Sequence, residues 1–572
     1  MRRCSYRRFA MRIGIIRTFT KIMESPIEKI KKASHGLRGT LKESLLDEHT
    51  GAIREGDQTV IKFHGMYMQD DRDVRERRAE KKLERLYSFM IRLRLPGGFL
   101  SAGQWEALHD IAGQHSTGII KITSRQTVQL HGILKAHIKP TLQAFDRVKL
   151  DSIAACGDVN RNVTVTAHPK ASPVHEEVFS FAEKISEALL PKTKAYYEIW
   201  LDEEKITEQN EEDPLYENRY LPRKFKIAIA IPPYNDVDVF TNDIGLIAII
   251  ENGSLLGFNV TAGGGMGTTH GNVATYPRLA TVLGFIEKER VLAVVYAIAT
   301  IQRDFGNRED RKLSRMKYTI DRMGVDAFKK ELETRTGFSL APARDYAFTT
   351  RSDAFGWHVD AEGKWHYTVF VENGRVLDEG SHVLFKTAFL EIAKAGKAHF
   401  RFTCNQNLVV SDVASLDKEF IESILWKYNI VQHTNHATHV RKNAMACVAL
   451  NTCPLALAEG QRYLPTLINK LETLLEKHQI AHEGPIVRMT GCPNGCARPY
   501  IAEIGFVGTA YGRYNLMLGA DVRGERLNKL YKENLDETEI LNELDMLFAR
   551  WATQRKSHEE SFGDFVARVG IV

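Results

Sequence analysis

The chain has 572 residues, of which 43% are apolar and 26% charged, so it is neither disordered nor collagen-like. At roughly 100–200 residues per domain, this length predicts three or four domains or a repeated one. The net charge of +6 is too small and too diffuse to indicate nucleic-acid binding. The longest largely apolar stretch, Val291–Ile301, is well short of the ~20 residues of a membrane-spanning helix, so no membrane association is predicted.

Residues 1–22 form a strongly basic extension without a single acidic residue. One interpretation is an organelle-targeting segment. The other is a start assigned too far upstream, with Met23 as the true initiator, and the sequence that follows Met23 favours this one. We expect residues 1–22 to lie outside the fold in either case. No apolar signal region with a cleavage site follows, so the chain is expected in the cytoplasm.

The first part of the chain mixes helix and strand patterns. Residues 23–58 are charged and weakly periodic, which predicts an arm or a solvated helix. A charged helix is predicted over residues 76–86 and a strand over residues 89–95. Residues 119–130 alternate as a pair of strands would.

The middle of the chain reads as a long α/β stretch. Residues 196–200 and 225–231 are predicted to be strands. The glycine-rich segment 261–272 lacks the residue order of a phosphate-binding loop, so it favours close approach of the backbone to a large flat cofactor. An amphipathic helix is predicted from the leucine spacing between residues 464 and 474.

A short pattern occurs twice, at residues 121–128 and 401–408, with a basic residue, a threonine, a glutamine and an aliphatic residue at matching places. The offset of 280 residues is far longer than any solenoid repeat. The pattern indicates a duplicated module, although a match this short also arises by chance.

Four of the seven cysteines fall in one window, as Cys447-x5-Cys453 and Cys492-x3-Cys496. Thiolates are ligands for iron–sulfur clusters, zinc and copper. Structural zinc usually has tighter pairs, so the spacing favours an iron–sulfur cluster. Zinc and ordinary buried cysteines remain the alternatives.

Basic residues recur beside the predicted strands. Arg92 and Arg94 share one strand face, as do Lys224 and Lys226, and Arg161 lies between two asparagines. Any single one of these basic residues could simply lie on a solvated strand edge. Their recurrence favours an enclosed site for porphyrin carboxylates or a small oxyanion.

The two cysteine segments, ACVALNTCP at residues 446–454 and TGCPNGCA at residues 490–497, resemble the cluster motif of the sirohaem-dependent sulfite and nitrite reductases. Supporting stretches lie at residues 63–67, 94–98, 125–127, 131–132, 160–162, 221–226 and 513–515. The resemblance covers about residues 37–570. It is strongest to the haemoprotein (beta) subunits of the NADPH-dependent assimilatory enzymes.

This resemblance implies an α+β fold made of two sulfite/nitrite-reductase repeats related by a pseudo-two-fold axis. Each repeat has a ferredoxin-like half-domain followed by an α/β domain. The α/β domain of repeat 1 would supply the substrate cations beside the sirohaem, and that of repeat 2 would carry the one 4Fe–4S cluster. After the arm at residues 23–58, the expected domains are residues 59–150 and 151–349 in repeat 1, and 350–425 and 426–572 in repeat 2.

The resemblance also implies the site and its cofactors, a sirohaem and a 4Fe–4S cluster. The cluster ligands are Cys447, Cys453, Cys492 and Cys496, and Cys496 would also be the axial ligand of the sirohaem iron. Arg92, Arg161, Lys224 and Lys226 would surround sulfite. The sirohaem contacts would come from Lys121, Arg125, Gln129, His131 and Asn494. Position 121 is usually arginine in this family, and Lys121 keeps the charge but lacks the bidentate fork of a guanidinium.

The implied reaction is the six-electron reduction of sulfite to sulfide in sulfate assimilation and cysteine biosynthesis. The sequence has no flavin or nicotinamide motif, so NADPH, FAD and FMN would act only through a partner flavoprotein. One rival is a ferredoxin-dependent sulfite or nitrite reductase of the same fold. The other is a non-catalytic protein with structural zinc.

Overall fold

The computed structural model describes residues 24–167, 173–202, 213–380 and 382–572, so the basic extension at residues 1–22 lies outside the described part. The chain then begins with three short helices, α1 (Pro26–Lys32), α2 (Leu41–Leu46) and α3 (Asp57–Val60). The segment was predicted to be an arm or a solvated helix, and Lys42 and Glu43 on α2 are exposed as a solvated helix would have them, but one lysine is not. Lys31 is only 1% exposed, and its ammonium donates to the Leu221 carbonyl at 2.8 Å and lies 3.5 Å from Asp158. Lys31 and its partner Glu28, which is also 1% exposed, are therefore paired inside the fold.

The first half-domain is a five-stranded sheet covered by helices. The chain segment of this half-domain contains β1 (Met66–Asp70), α4 (Arg75–Glu80), β2 (Tyr87–Arg92), β3 (Phe99–Leu100), α5 (Ala102–His115), β4 (Ile120–Ile122), β5 (Val128–Ile133) and α6 (Ile138–Asp146). Four of these strands, β1, β2, β4 and β5, belong to its sheet, and the fifth strand comes from repeat 2. The predicted strands at residues 89–95 and 119–130 are confirmed in position. The charged helix predicted over residues 76–86 stops at Glu80, and the rest is turn and loop.

The α/β domain of repeat 1 has a second five-stranded sheet. Its elements are β6 (Thr164–Val165), α7 (Val174–Ala188), α8 (Ala195–Trp200), β7 (Ile227–Ala230), β8 (Ile244–Glu251), β9 (Ser254–Ala262), β10 (Thr281–Glu287), α9 (Val291–Phe305), α10 (Met316–Met323) and α11 (Val325–Thr336). The strand predicted over residues 196–200 is wrong. Its buried residues Tyr196, Ile199 and Trp200 follow helical spacing, which outweighs their preference for strands.

Repeat 2 follows the same plan. Its half-domain holds β11 (Gly356–Val359), β12 (Trp365–Val369), β13 (Arg375–Val376), α12 (Phe385–Ala395), β14 (His399–Phe402), β15 (Leu408–Val413), α13 (Lys418–Lys427) and α14 (Ile430–His436). Its last domain holds α15 (His439–Lys442), β16 (Ala444–Ala446), α16 (Leu464–Lys477), β17 (Val487–Thr490), β18 (Ile504–Ala510), β19 (Arg513–Leu518), β20 (Lys529–Leu535), α17 (Glu537–Gln554) and α18 (Phe562–Arg568). The predicted helix around Leu464–Leu474 is confirmed.

The sheets match in pairs, which establishes the duplication. The two α/β sheets have the orders β10-β9-β8-β7-β6 and β20-β19-β18-β17-β16, each with two parallel and two antiparallel pairings. The two half-domain sheets are β1-β2-β5-β4-β13 and β11-β12-β15-β14-β3. Gln126 and Gln406, which match in the repeated sequence pattern, both have a positive φ, at 55° and 69°.

The two half-domains exchange their edge strands. β3 of repeat 1 pairs with β14 of repeat 2, and β13 of repeat 2 pairs with β4 of repeat 1. Helices α5 and α12 pack together at this junction, where the Trp105 ring lies 4.6 Å from that of Phe400. The two half-domains therefore share one core, whereas the last domain of repeat 2 has a core of its own. The domain boundaries given above stay a prediction. No described helix is both long and apolar enough to cross a membrane.

Candidate functional site

The four clustered cysteines lie at the end of two adjacent parallel strands. Cys447 follows β16 directly, and the Cys492–Cys496 loop follows β17, with Ala446 paired to Met489. Because parallel strands end at the same edge of a sheet, both loops leave from one place. The Cys447 amide donates to the Met489 carbonyl at 3.1 Å, and the Leu457 amide donates to the Gly491 carbonyl at 2.7 Å. These bonds hold the two cysteine loops together.

The spacing of the cysteine sulfurs argues against zinc. Four thiolates around zinc, at Zn–S distances of about 2.3 Å, would lie about 3.8 Å apart. Among the described residues, the one group of three or more His, Cys, Asp or Glu ligand atoms within 4.8 Å of one another is His482, Glu483 and His558. No three of the four cysteines therefore meet at zinc distances, and the wider arrangement fits a four-iron cluster.

The surroundings of the thiols also fit a cluster. The Gly491 amide and the Asn494 side-chain amide donate to the sulfurs of Cys447 and Cys492, each at 3.4 Å. Burial raises the pKa of Cys453 to about 12 and also raises the pKa of Cys447 and Cys492. Buried thiols of this kind become thiolates when a metal replaces their protons. The chemistry of this donor set therefore matches iron–sulfur ligation.

The glycine-rich segment supports the second cysteine loop. The Thr268 amide donates to the Pro493 carbonyl at 2.9 Å. A Cβ atom at Gly267 would lie 3.2 Å from the Asn494 carbonyl oxygen, and one at Gly495 would lie 3.1 Å from the Met266 carbonyl oxygen. The close backbone approach predicted from the glycines is present, and the partner that the structure shows is the protein loop that carries Cys492 and Cys496.

A hydrogen-bonded chain of buried side chains runs from Arg92 across the half-domain sheet. Arg92 and Gln129 face each other on β2 and β5, and the guanidinium donates to Gln129 Oε1 at 2.7 Å and to the Cys156 sulfur at 3.2 Å. Gln129 Nε2 lies 2.9 Å from His131 Nε2, and His131 Nδ1 lies 3.0 Å from Gln69 Oε1. Burial and then the charge of Arg92 lower the pKa of His131 to about 3, so its ring is neutral. It therefore accepts from Gln129 and donates to Gln69.

The basic residues of repeat 1 converge on the cysteine loops. Arg161 Nε donates to the Gly157 carbonyl at 3.2 Å, and its Nη2 lies 3.4 Å from the Tyr67 hydroxyl. Burial, followed by repulsion from Arg223, lowers the pKa of Lys224 to about 7, while Cys496 opposes this shift. Burial and the charge of Lys224 likewise lower the pKa of Lys226. Lys224 and Lys226 thus lie near Cys496.

These cations have the properties of an anion site. Within the described part of the chain, neither lysine ammonium, of Lys224 or of Lys226, has a hydrogen bond or an ion pair with another residue. Buried like charges without a counter-ion are costly, and a bound anion removes that cost. The buried Nε atoms of Arg92 and Arg125 are also without a partner among the described residues. Both sulfite and the carboxylates of sirohaem fit such a set of donors.

Two predicted sirohaem residues also tie parts of the protein together. Arg125 donates to Asn242 Oδ1 at 2.6 Å and to the Ile227 carbonyl at 3.0 Å, which links the half-domain to β7. Lys121 donates to the carbonyl of Asn373 in repeat 2 and is only 3% exposed. Its ammonium is therefore directed to the other repeat in this structure.

The sequence patterns did not single out two residues that belong to this region. Gln69 ends the chain that begins at Arg92, as described above. Lys62 is close enough to Asp158, Arg223 and Arg161 for their charges to shift its pKa, which burial lowers most. Each lies next to a stretch with the family resemblance, at residues 63–67, and that proximity was the one available signal.

Comparisons with known proteins agree with this geometry. The model of the nitrite and sulphite reductase 4Fe-4S domain matches residues 174–340. The model of the nitrite/sulfite reductase ferredoxin-like half domain matches twice, at residues 82–148 and 358–425. The two half-domain matches coincide with the two half-domain sheets.

Full-length relatives are similar over almost the whole chain. The sulfite reductase [NADPH] hemoprotein beta-component of Leptospira biflexa is 66% identical over 550 residues, which cover 96% of this chain and 99% of the relative. The chain belongs to the nitrite and sulfite reductase family. The beta-component of Chromohalobacter salexigens is 52% identical, covering 96% of this chain and 95% of the relative. The solved structure of the Mycobacterium tuberculosis NirA protein has a TM-score of 0.76 at 25% identity, over 94% of this chain and 95% of NirA.

Membership in this family confirms four predictions made from the sequence. These are the duplicated α+β fold, the oxidoreductase class, the sirohaem and the 4Fe–4S cluster. It also removes the rival reading of a non-catalytic zinc protein. The roles of individual residues stay predictions at this point.

Proposed function

We propose that this chain reduces sulfite to sulfide by six electrons, as the haemoprotein component of an NADPH-dependent sulfite reductase in sulfate assimilation and cysteine biosynthesis. The observation that carries the proposal is the pair of half-buried lysines, Lys224 and Lys226, which have no partner in the described part of the chain and lie beside the cysteine loop that holds Cys496. Similarity to the Leptospira and Chromohalobacter beta-components over nearly the full length supports it.

The proposal assigns roles to residues in three groups. Cys447, Cys453, Cys492 and Cys496 would hold the 4Fe–4S cluster. Lys121, Arg125, Gln129, His131, Asn494 and Cys496 would hold the sirohaem. Arg92, Arg161, Lys224 and Lys226 would bind the reacting anion. When bound, the two cofactors supply one-electron steps at an iron that accepts the sulfur of the substrate.

The basic residues supply what an anion loses when it leaves water. Sulfite is strongly hydrated, so its removal from water is costly unless fixed donors replace the water molecules. Arg92 is held by Gln129, and Arg161 is held by the Gly157 carbonyl, so both guanidiniums are fixed before the anion binds. Preorganised charges of this kind need no reorganisation during the reaction.

Lys224 is suited to proton donation as well as to binding. Each departing oxygen of sulfite needs protons to leave as water. A group whose pKa is about 7 both gives and regains a proton easily near neutral pH. The guanidinium of Arg161, whose charge also acts on Lys224, keeps the local field positive, which favours the more highly charged sulfite over nitrite.

The electrons would come from a flavoprotein (alpha) subunit that carries FAD and FMN and oxidises NADPH. The two beta-components to which the chain is similar are named for NADPH, which supports this donor over ferredoxin. A cytoplasmic location is part of the proposal. It is supported by the six described cysteines, all free, which suit a reducing compartment.

The test is turnover of the purified chain with reduced methyl viologen, which bypasses the partner. Sulfite should be reduced to sulfide, and a Lys224→Met variant should lose about 10–150-fold in kcat/KM because a charge-assisted hydrogen bond contributes roughly 1.5–3 kcal/mol. The same variant should keep a normal sirohaem absorption spectrum. Wild-type turnover in Lys224→Met would contradict the anion role. Faster turnover of nitrite than of sulfite by the unaltered chain would contradict the proposed substrate.

A further inference from the structure

The loop that carries Cys447 and Cys453 reaches the protein surface and exposes two leucines there. Leu455 is 62% exposed and Leu457 is 39% exposed. Leu455 follows Cys453 by two residues, so the two lie at most about 7 Å apart along the chain. A partner that contacts Leu455 is therefore very close to a cluster ligand.

A second surface segment, residues 71–86, is bonded directly to this loop. Arg72 donates to the Ala456 carbonyl at 2.8 Å, and its backbone amide lies 3.4 Å from the Asn451 carbonyl. The Asn451 side-chain amide donates to Asp71 Oδ1 at 2.7 Å. The Asp71 amide in turn donates to the Leu86 carbonyl at 3.3 Å. Leu86, which is 38% exposed, thus continues the apolar surface that starts at Leu455.

The same segment carries an excess of unpaired positive charge. Arg77, Lys81, Lys82 and Arg85 are exposed and form no ion pair within the described part of the chain. The acidic residues of the segment are mostly engaged: Asp73 pairs with Arg462 and Glu84 accepts from the Gly51 amide at 2.9 Å. Only Glu76 and Glu80 are exposed and unpaired among the described acids here. The rim of the exposed leucines is therefore basic.

We propose that this surface, made of residues 71–86 together with Leu455 and Leu457, is the docking site of an electron-carrier domain with an acidic face around its redox group. The inference rests on the proposed function, since it places the electron donor of that reaction. Two properties select this partner. The surface covers a cluster ligand, where electrons must enter, and its charge complements an acidic carrier.

The composition of this surface is typical of a transient protein–protein interface. It combines exposed apolar side chains with exposed charged residues on two segments that are bonded to each other, and transient interfaces contain both kinds of residue. Rim charges act mainly on the rate of association, which falls as salt screens them. A carrier that must dock, deliver an electron and leave several times per sulfite needs this kind of fast and reversible contact.

The experiment compares two donors on the intact holoenzyme. One is the flavoprotein subunit of the same sulfite reductase with NADPH, and the other is reduced methyl viologen. The charge-reversal variant Lys81→Glu/Lys82→Glu should lower flavoprotein-driven sulfite reduction about 10-fold at low ionic strength and about 2-fold at about 0.5 M salt. Its viologen-driven rate and its visible spectrum should be unchanged.

A matched control carries the same charge change elsewhere. Lys329→Glu/Lys330→Glu on α11 should leave the flavoprotein-driven rate at the wild-type value. Leu455→Ser should weaken docking without a change in salt dependence, since it removes apolar contact only. Equal losses in the two charge variants, or no loss in Lys81→Glu/Lys82→Glu, would overturn the docking site. A chain that reduces no sulfite even with viologen would instead overturn the proposed function.

Discussion

The two repeats share a scaffold and differ in what they place at the ends of equivalent strands. Ala228 pairs with Gly245 in repeat 1, and Arg488 pairs with Gly505 in repeat 2, so residue numbers 260 apart correspond across these sheets. Cys492 then corresponds to Pro232, and Cys496 to Asp236. Cys447 corresponds to Thr166, because their amides donate to the equivalent carbonyls of Met489 and Ile229, at 3.1 and 3.0 Å.

In repeat 1, the positions equivalent to the cysteines are occupied by side chains that hydrogen-bond to the backbone. Thr166 Oγ1 accepts from the Ile231 amide at 3.0 Å, and Asp236 Oδ2 accepts from the Ala167 amide at 2.8 Å. The cavity next to Asp236 is lined by residues that include Asp353, Thr368 and Val409. Small polar groups that bond to the backbone thus replace the thiols.

The basic residues differ between the repeats in the same way. Strand register gives the repeat 2 counterparts of five site residues. Arg92 corresponds to Thr368, Gln129 to Val409, His131 to Ser411, Arg161 to Lys442 and Lys226 to Ile486. Of these five counterparts, only Lys442 is a cation, so the two thiol loops of repeat 2 and most of these basic residues of repeat 1 have no equivalent in the other copy. The duplication thus supplies a common scaffold, and the side chains at the strand ends are what distinguish the two copies.

The largest expected effect comes from the thiols themselves. Cys492→Ser should yield protein without acid-labile sulfide and with sulfite reduction at background, because a cluster loses one of four ligands. The matched control is Cys404→Ser, since Cys404 is 1% exposed and its repeat counterpart is Ser124. Burial raises the pKa of Cys404 to about 12, so it stays a protonated thiol. Loss of iron from Cys404→Ser would contradict the ligand assignment.

The contact between the repeats should be next in size. Asp238 and Arg498 are equivalent residues that pair with each other, and Asp238 also accepts from Arg488 at 2.6 Å and lies 3.4 Å from Arg351. All are buried, so Asp238→Asn leaves three guanidiniums without a counter-ion and should lower the free energy of unfolding by about 3–5 kcal/mol.

Urea unfolding of the holoenzyme measures this effect. The control is Asp545→Asn, which removes an exposed ion pair with Lys477 and should cost at most about 1 kcal/mol. A loss in Asp238→Asn no larger than in Asp545→Asn would show that the repeats are held together by apolar packing alone.

The sequence allowed a correct prediction of the fold class, the duplication and the two cofactors, because these depend on spacing and on a specific motif. The assignment of the four cysteines as cluster ligands stays a prediction. The strand exchange of β3 and β13 could not be foreseen, since two-residue strands have no periodicity to detect. The helix at residues 195–200 was mistaken for a strand because its buried aromatic residues have high strand propensity.

The site was harder to predict than the fold. Arg92, Arg161, Lys224 and Lys226 were proposed from motif matches, and their convergence depends on packing between distant segments. Gln69 was missed because its role depends on a contact with His131, 62 residues away, which no local pattern records. The pairing of the N-terminal Lys31 with Asp158 was missed for the same reason.

A third prediction separates the cations of the two repeats. Arg161→Met should lower kcat/KM for sulfite about 10–150-fold with viologen as donor, for the reason given for Lys224. Its counterpart Lys442 faces the Phe355 ring at 5.5 Å, away from the cysteine loops, so Lys442→Met should stay within about 2-fold. Equal losses in both variants would mean that the charge acts through stability and not through the bound anion.

The smallest effect concerns Asp236, which stands where repeat 2 has Cys496. Burial, together with the charge of Asp353, raises the pKa of Asp236 from 3.8 to about 7. The neighbouring carboxylate of Asp238 adds to this shift. One oxygen of Asp236, Oδ1, is buried without a hydrogen bond to any described residue. The folded protein therefore holds a proton on Asp236 that the unfolded chain releases at a lower pH.

The sign of the pH dependence follows from this order of pKa values. A group whose pKa is higher in the folded state contributes its stability fully below its unfolded pKa, and that contribution is lost as the pH rises through the folded pKa. Wild-type stability should thus fall between about pH 4 and pH 7 from this group. Asp236→Asn cannot ionise, so it should be more stable than wild type by about 1–3 kcal/mol at pH 8 and about equal to it at pH 4.

Asp353→Asn is the control for this last prediction, because Asp353 accepts from Thr403 at 2.7 Å, Asn405 at 2.9 Å and Asn407 at 2.8 Å. Losing acceptors for these donors should destabilise that variant at both pH values. Urea midpoints at the two pH values measure all three proteins. An Asp236→Asn variant no more stable than wild type at pH 8 would show that the carboxylate is satisfied. Repeat 1 would then tolerate a charged carboxylate at the position equivalent to Cys496. The difference between the repeats would in that case consist of the thiols and the cations alone.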